Sequence, residues 1–322
     1  MTRYLTTLFV TFAALIGAWV GLFQLQVGAP TETSRFVHDC LAVKHAAVEA
    51  LDGPKGVVMT GSSGFYGLRA ETLGEVLDRP MVNMGVHAGL GLDFLIDQTQ
   101  RLVGKGDLVV MSLEYEHYWD EGRVNNVLLD YIVSRDVDYF ASLDGLARAE
   151  ATFAMSLERL WAGVMGVFVE PARRRDDKYT CMANAFGDET RNTPERKVGA
   201  NAAIIEGLQP RSYAGRLRPD AYAWAALERF AGWCREHEVT LVATFPSLVR
   251  FERYEQGGHR AFFEGGVARL EALKVPVVGT PFEAMYEKVD FYDSRYHLLA
   301  QPAARHSRQL AETMRRTLDG GL

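Results

Sequence analysis

The chain begins with an uninterrupted apolar run, after which short apolar segments alternate with longer amphipathic ones. Residues 4–25 are 22 positions without a charged side chain, which at about 1.5 Å per helical residue can cross a hydrocarbon core of about 30 Å. Arg3 precedes this run, and no Lys or Arg follows before Arg35. The positive-inside rule therefore predicts a cytoplasmic N-terminus, with the bulk of the chain in the periplasm or outside the cell. We predict that residues 1–29 form a single-pass anchor in the inner (cytoplasmic) membrane.

A cleavable signal peptide is the alternative for this run, because Val27-Gly28-Ala29 loosely resembles a small-residue cleavage site. The run is longer than the usual signal-peptide core of about 7 to 15 residues, and Pro30 would directly follow the cleaved bond. We therefore favour a retained helix. Within it, Ala13, Gly17 and Gly21 recur every four residues and predict a flat stripe on which another membrane helix could pack.

Amphipathic and β-rich segments alternate after the anchor. Residues 34–51 have the apolar spacing of a helix, which residues 52–54, Asp-Gly-Pro, end. Five short β-rich runs follow, at residues 56–60, 81–83, 107–113, 239–245 and 275–279. The helices predicted between and after them cover residues 66–77, 90–103, 220–237, 260–273 and 302–318. This alternation predicts a parallel sheet with helices on both faces, so we expect residues 30–322 to form a doubly wound, flavodoxin-like α/β domain.

The connection between the third and fourth runs is too long for such a sheet. We therefore predict a largely helical insertion from about residue 119 to 219, which could serve as a lid or a partner surface. Within it, residues 139–169 have a helical pattern. Residues 173–177 and 190–197 are rich in charge and are predicted to be solvated loops.

Composition narrows the function. The 322 residues include 35 basic and 41 acidic side chains, a net charge of −6. Without a basic block, we expect no nucleic-acid binding, since such binding displaces counterions with clustered Lys and Arg. Cys40, Cys181 and Cys234 lie far apart, without a C-x-x-C pair or a nearby His at the spacing of a metal-binding motif, so no metal site is predicted. We interpret them as three unreactive thiols, although one disulfide among them could form.

Candidate chemistry lies beside the first and last predicted strands. Ser62 and Ser63 follow the first strand and lead into a helix, where free N–H groups favour developing negative charge. His297 lies in the loop after the last strand, with Asp293 and Asp290 close by in sequence. Because the carboxyl ends of parallel strands meet at one edge, His297 could reach Ser63, and either aspartate could orient its imidazole, as nucleophilic serine catalysis requires. A capping serine and an ordinary loop histidine are the structural alternatives.

These motifs together resemble the SGNH (GDSL-like) hydrolase superfamily, especially its membrane-anchored envelope branch, which includes teichoic-acid D-alanylation and alginate O-acetylation proteins. The resemblance covers most of residues 56–318 outside the insertion. Gly61-Ser62-Ser63 is similar to the first family block, which implies that Ser63 rather than Ser62 is the nucleophile. Asp293 and His297 resemble the terminal Asp/His block.

The second family block is matched and the third is not. Asn83-Met84-Gly85 is similar to the second block, which implies that the Gly85 N–H forms an oxyanion hole together with the Ser63 N–H. The third block supplies an Asn, where this chain has Leu113-Glu114-Tyr115-Glu116-His117. Losing an oxyanion donor reduces the rate about a hundredfold or more, unless the Tyr115 hydroxyl or the insertion replaces it. The spacing of four between Asp293 and His297, where many members have three, leaves Asp290 open.

The remaining polar and aromatic side chains near the third strand have more than one interpretation. Glu114 and Glu116 could act as general bases or metal ligands, but we expect one to be buried in a hydrogen-bond network and the other to be solvated. Tyr115, Tyr118 and Trp119 could stack on a sugar or pack beneath the insertion. We assign Gly85, Tyr115 and Glu114 to oxyanion or substrate binding.

The resemblance implies an extracytoplasmic protein that transfers or removes an O-acyl group, expected to be acetyl, on an envelope polysaccharide. Ser63, His297 and Asp293 would act without a metal or cofactor. A membrane-bound O-acyltransferase or a polysaccharide synthesis subunit is the implied partner, with the Ala13, Gly17 and Gly21 stripe as a candidate contact. The alternative is a catalytically degenerate SGNH-fold accessory or scaffold subunit of a polysaccharide synthesis, modification or export complex, which the absent Asn favours.

Overall fold

The computed structural model describes residues 1–171 and 180–320. In chain order its helices and strands are α1 (Thr2–Leu25), α2 (Glu32–Glu49), β1 (Gly56–Thr60), α3 (Ser62–Gly67), α4 (Ala70–Leu77), β2 (Met81–Asn83), α5 (Leu92–Leu102), β3 (Leu108–Ser112), α6 (Asn126–Ser134), α7 (Val137–Ser142), α8 (Gly145–Ala154), α9 (Leu157–Phe168), α10 (Ala200–Glu206), α11 (Tyr222–Glu236), β4 (Thr240–Thr244), β5 (Leu248–Val249), α12 (Gly257–Ala272), β6 (Met285–Tyr286) and α13 (Ala300–Asp319). Short 3-10 helices lie at Ala88–Leu90, Tyr115–Trp119, Pro194–Arg196, Glu252–Glu255 and Lys288–Asp290.

Two compact units make up the chain. Unit one consists of Met1–Asp39 and Arg123–Cys181, and unit two of Cys40–Gly122 and Met182–Leu322. The segment from about 119 to 219, expected to form one insertion, is therefore divided between the two units. The anchor segment, expected to stand apart from the α/β domain, belongs to unit one together with the first part of that insertion.

Unit one contains the candidate membrane span. Among the described residues, α1 is the helix long and apolar enough to cross a membrane, with a mean hydropathy of 2.0. A Cβ atom added at Gly17 or Gly21 would meet no atom within 4 Å, so nothing in the described chain packs on that part of the small-residue stripe. The binding of a membrane partner there stays a prediction.

The last turns of α1 pack into the rest of unit one. Phe23 and Gln26 have no exposed surface, and the Phe23 ring centroid lies 5.7 Å from that of Phe140. The helical pattern predicted for residues 139–169 is confirmed, and it is divided among three helices, α7 to α9. New helices start directly after Asp144 and Ser156, because the side chains of these two residues accept N–H groups of the following first turn.

Unit two is built on a parallel sheet, which confirms the α/β class. Its strand order is β2-β1-β3-β4, and all three pairings are parallel. Val58, Val110 and Val242 lie side by side in register and pack with residues of α4 and α13 in one buried cluster. Their neighbours along each strand point to the opposite face because side chains alternate, and α5 contacts β1 while α11 contacts β4.

Some predicted elements of unit two differ from those observed. Residues 275–279 form only an isolated parallel bridge, between Val277 and Ala243, since Pro276 has no N–H with which to extend a ladder. The helix predicted at residues 66–77 is two helices, α3 and α4. A separate parallel pair, β5 with β6, was not predicted. The other predicted helices of unit two correspond to α5, α11, α12 and α13, with ends shifted by one to three residues.

Two further predictions require correction. Cys40 and Cys181 are disulfide-bonded, and Cys234 is a free, buried thiol, so the interpretation of three thiols is wrong. The loop predicted to be solvated at 190–197 begins in a buried segment, because Arg191 and Asn192 are buried. The charged segment 173–177 lies outside the described residues.

Candidate active site

The first candidate residues lie where β1 ends and α3 begins. Gly61 precedes the helix, Ser62 is its first residue, and both serines follow the strand directly. Ser62 is half-buried, whereas Ser63 is 1% exposed and its Oγ lies 3.3 Å from Thr60 Oγ1. The Ser63 hydroxyl therefore points toward the end of its own strand, and Ser62 occupies the more open position.

Glu114 lies beside the two serines because β3 pairs with β1 and both strands end at the same edge of the sheet. Its carboxylate accepts the Ser63 N–H at 2.7 Å through Oε1 and the Gly61 N–H at 3.2 Å through Oε2. A Cβ atom at Gly61 would lie 2.6 Å from both oxygens, so only glycine permits this approach. Glu114 is 2% exposed, and it confirms the prediction that one of the two glutamates is buried in a hydrogen-bond network.

Gly85, the other predicted oxyanion donor, also has a partner within the chain. Its N–H donates to Asn83 Oδ1 at 3.0 Å. A Cβ atom at Gly85 would lie 2.5 Å from the Gly61 carbonyl oxygen and 2.8 Å from the Phe65 nitrogen, so glycine is required by close backbone contact. Asn83 in turn donates from Nδ2 to the Gly64 carbonyl oxygen at 2.9 Å. Thus both N–H groups expected to hold an oxyanion are bonded to acceptors of the chain itself.

The histidine and aspartate at the far end of the chain are in contact. His297 Nδ1 and Asp293 Oδ1 are 2.6 Å apart, whereas Asp290 lies 3.4 Å from Arg305. The choice left open by the sequence is thereby resolved in favour of Asp293 as the partner of the imidazole. The imidazole ring stacks on Tyr66, with centroids 4.1 Å apart and planes inclined by 9°.

The stacking on Tyr66 places His297 beside α3. Tyr66 is four residues after Ser62 and three after Ser63, so it follows both serines by about one helical turn. Among the hydrogen bonds of the described residues there is none between Ser63 and His297. The structure therefore brings the predicted residues to the same helix without joining the serine and histidine directly.

Two further histidines adjoin Glu114, and the sequence gave them no role. His87 accepts the Gly89 N–H at Nδ1 at 2.9 Å, which fixes its proton on Nε2 when the ring is neutral. Although its ring is solvent-exposed, the surrounding protein lowers the pKa of His87 by desolvation, while Glu114 opposes this shift and His297 adds to it. His117 is buried, and its Nδ1 lies 3.5 Å from Glu114 Oε2. The only sequence signal for His87 was its position two residues after Gly85.

Tyr115 and Glu116 have other surroundings than those predicted. The Tyr115 ring is buried in an aromatic cluster with Tyr213 and Phe263, and its hydroxyl has no hydrogen-bond partner. Burial raises the pKa of Tyr115 well above its ordinary value. This burial favours the packing alternative over an oxyanion or substrate-binding role for Tyr115, and that role stays a prediction. Glu116, predicted to be solvated, instead pairs with Arg211 and accepts the Tyr296 hydroxyl at 2.6 Å.

A buried polar network supports the Asn83 loop from behind, and the sequence did not indicate it. Lys44 has no exposed surface and donates to the carbonyl oxygens of Asn83, at 2.7 Å, and Gly187. Burial lowers the pKa of Lys44 to about 7, against the opposing effect of Asp188 and Glu189. Asp188 accepts the first N–H of α4, from Ala70, at 2.8 Å and the Asn83 Nδ2 at 3.2 Å. Desolvation raises the pKa of Asp188.

Within residues 1–171 and 180–320, no group of three or more His, Cys, Asp or Glu side chains is arranged to hold a metal ion. Comparison with known proteins gave no family assignment: no family model matches the chain, and no curated protein is significantly similar to it. The chemistry of the site therefore rests on the geometry described above.

Proposed function

We propose that the chain is a membrane-anchored, extracytoplasmic SGNH-like protein that transfers or removes an O-acyl group on an envelope polysaccharide. The observation that carries this proposal is the 2.6 Å contact between Asp293 and His297, because it engages Nδ1 and leaves Nε2 to exchange a proton with a substrate. The order β2-β1-β3-β4, with the Val277 bridge beside β4, supports a flavodoxin-like arrangement, whose order is 2-1-3-4-5. The acetyl group, the polysaccharide and an O-acyltransferase partner come from the motif resemblance.

The reaction would proceed through an acyl-enzyme. The Ser63 oxygen forms a bond to the ester carbonyl carbon, and His297 Nε2 takes the hydroxyl proton. When the ester C–O bond breaks, His297 returns this proton to the departing alkoxide, while Asp293 orients and stabilises the charged imidazole. The hydroxyl of water in an esterase, or of the polysaccharide in a transferase, then attacks the acyl carbon and gives its proton to His297. His297 returns this proton to the Ser63 oxygen as the bond between that oxygen and the acyl group breaks.

Glu114 must move before this chemistry can begin. The Ser63 N–H, which would stabilise the oxyanion, donates to the Glu114 carboxylate in this structure, and an ionised carboxylate at that place opposes a developing negative charge. We propose that substrate binding displaces Glu114 from the Ser63 N–H. The site described here would then be the closed, resting form of the enzyme.

Localisation outside the cytoplasm is supported by one observation, and retention of α1 by another. Cys40 and Cys181 are disulfide-bonded, and disulfides persist mainly in oxidising compartments. Retention of α1 is supported by the burial of Phe23 and Gln26, because cleavage after Ala29 would remove both side chains from the interior of unit one.

An accessory role without catalysis is the second candidate. It is favoured by the Glu114 carboxylate on the Ser63 and Gly61 N–H groups and by the bond from the Gly85 N–H to Asn83. In that case these N–H groups stay bonded to Glu114 and Asn83 and bind no substrate, and the chain serves as a subunit of an envelope complex.

A fluorophosphonate probe on the full-length protein in mild detergent separates the two candidates. If the chain is an enzyme, the probe should label the wild type at Ser63, Ser63→Ala should abolish labelling, and the matched variant Ser62→Ala should retain it. Asp293→Asn should slow labelling without lowering the thermal midpoint of unit two by more than a few degrees.

Glu114→Gln tests the displacement of the carboxylate. The neutral amide keeps the size of the side chain but removes its charge, so labelling of Ser63 should become faster, by about tenfold if about 1.4 kcal/mol of opposition is removed. Absence of labelling in both the wild type and Glu114→Gln, together with no turnover of p-nitrophenyl acetate, would establish the accessory role. Labelling at Ser62 would overturn the choice of nucleophile.

A further inference from the structure

Large apolar side chains are concentrated on the surface of α8 and α9 in unit one. Leu146 and Phe153 on α8 are 81% and 55% exposed, and Leu157, Trp161 and Phe168 on α9 are 73%, 65% and 72% exposed. Met165 on α9 is also exposed. These six residues are referred to below as the apolar face.

The apolar face of α9 is a continuous helical stripe. Its members Leu157, Trp161, Met165 and Phe168 are spaced by four, four and three residues, so they share one side of the helix. The adjoining side, which includes Leu160 and Val164, is buried within unit one. Helices of soluble domains expose polar side chains on the face away from the core. Among the exposed positions of α9 only Glu158 is charged, so α9 requires an apolar environment on both sides.

The candidate membrane span ends against these same helices. Trp19 donates from Nε1 to the Thr152 carbonyl oxygen at 2.8 Å, and α1 contacts α9. Just after α1, Gln26 Oε1 accepts from Arg159 at 2.9 Å. The 24 residues of α1 extend about 36 Å, somewhat more than a hydrocarbon core of about 30 Å. Residues 19–26 therefore reach the boundary between hydrocarbon and headgroups, and α8 and α9 meet α1 at that depth.

We infer that the apolar face is inserted in the surface of the bilayer that α1 spans. Continuity with α1 identifies the occupant as lipid: residues 2–18 of α1 are all exposed, so lipid already surrounds the helix up to the point where Trp19 contacts α8. Interfacial helices immerse their apolar side to about 5 to 10 Å, and Trp is typical of that zone. Unit one is then attached to the membrane twice, by a span and by a surface-lying helical pair.

Depth-dependent fluorescence quenching tests this inference on the full chain. Single cysteines at Leu157→Cys, Trp161→Cys and Phe168→Cys would carry an NBD label, in vesicles of phosphatidylethanolamine and phosphatidylglycerol with doxyl-labelled lipids. The wild type measures background labelling, since Cys234 is buried and the other two cysteines are disulfide-bonded. Asn126→Cys is the matched control, because Asn126 is an exposed residue of the same unit. It lies on α6 about 11 Å from Val133, whose carbonyl oxygen accepts the Gly28 N–H just after α1.

The three labels on α9 should emit at shorter wavelength than the control. Doxyl groups near the headgroups should quench them at least twofold more strongly than the control, and more strongly than doxyl groups at the chain ends. A charged pair, Leu157→Glu with Trp161→Glu, should restore the label at Phe168→Cys to the control value.

Two results would overturn the inference. Labels on α9 that respond to doxyl lipids no more than the control would show that the face does not meet the bilayer. A short-wavelength emission that persists without lipid quenching would show that a second copy or another protein covers the apolar face instead.

Discussion

Replacing Asn83 with aspartate exchanges a hydrogen-bond donor for an acceptor at the centre of the site, with almost no change of shape. Asn83 has no exposed surface, and its Nδ2 faces the carbonyl oxygens of Gly64, at 2.9 Å, and Leu68, at 3.2 Å, and Asp188 Oδ1, at 3.2 Å. In Asn83→Asp an oxygen would point at these three acceptors. The introduced carboxyl must therefore either remain charged against them or take up a proton.

The magnitudes favour uptake of a proton. Two ionised carboxylates 3.2 Å apart would repel each other by about 5 kcal/mol at an effective dielectric constant of about 20. Protonation costs about 1.36 kcal/mol for each pH unit above an unfolded pKa of about 3.9, hence about 4 kcal/mol at pH 7 and about 1.5 kcal/mol at pH 5. One lost hydrogen bond adds about 1 kcal/mol. The expected loss in the free energy of unfolding is therefore about 5 kcal/mol at pH 7 and about 2.5 kcal/mol at pH 5.

The sign of the pH dependence follows from linkage. The folded state raises the pKa of the introduced carboxyl above its unfolded value, so the variant loses stability relative to the wild type as the pH rises from 4 through 7. Urea unfolding in non-ionic detergent, without reductant, measures this at pH 5 and pH 7, with hydrogen exchange of β1 and β3 peptides assigning the transition to unit two. Asn201→Asp adds the same charge at a half-buried position and should change stability by less than about 1 kcal/mol. A loss below about 1.5 kcal/mol at pH 7, or equal losses at the two pH values, would refute the reasoning.

Three further variants test the packing around the site and the anchor. Gly85→Ala should destabilise unit two by more than about 2 kcal/mol, because its Cβ would lie 2.5 Å from a carbonyl oxygen, whereas Gly266→Ala, with no atom within 4 Å, should be neutral or stabilising in urea unfolding. Phe23→Ala should cost about 3 to 5 kcal/mol and speed hydrogen exchange in α7, while Leu22→Ala, which is 43% exposed, should not. Burial lowers the pKa of Lys44 to about 7, so between pH 7 and 10 the unfolded state binds more protons than the folded state. The stability of the wild type should therefore rise with pH relative to that of Lys44→Met. An unchanged difference in urea midpoint between pH 7 and 9 would contradict this.

Local patterns in the sequence were sufficient for the elements of the fold that depend on local chemistry. An uncharged run of the right length was enough to predict α1 as a helix able to span a membrane, because length and apolar character are properties of one segment alone. The buried strands β1, β3 and β4 were recognisable as short β-rich runs between amphipathic helices, which also indicates parallel pairing. Asp290 and Asp293 were both recognisable as possible partners of His297 because they precede it closely in one loop, and the contact in the structure selected Asp293.

The sequence pattern was less informative where the limits of a helix or strand are set by capping side chains or by pairing with a neighbouring strand. Residues 139–169 have a continuous apolar period, yet Asp144 and Ser156 each cap a new helix. Residues 275–279 have the composition of a strand, but the missing N–H of Pro276 limits them to one bridge. The spacing of apolar residues indicates which face of a helix or strand is buried, but it does not indicate at which residue the backbone hydrogen bonding ends.

Only the tertiary structure decided the contacts that define the candidate site. No local pattern indicated that Glu114 accepts the N–H groups of Ser63 and Gly61, or that Asn83 accepts the Gly85 N–H. Nor did any pattern indicate that Asp188, in a loop more than a hundred residues away, accepts a hydrogen bond from Asn83. The sequence determined the kinds of side chain present and the segments that carry them. Which polar groups meet is decided by packing, because every buried donor must find an acceptor among whatever segments the fold brings together.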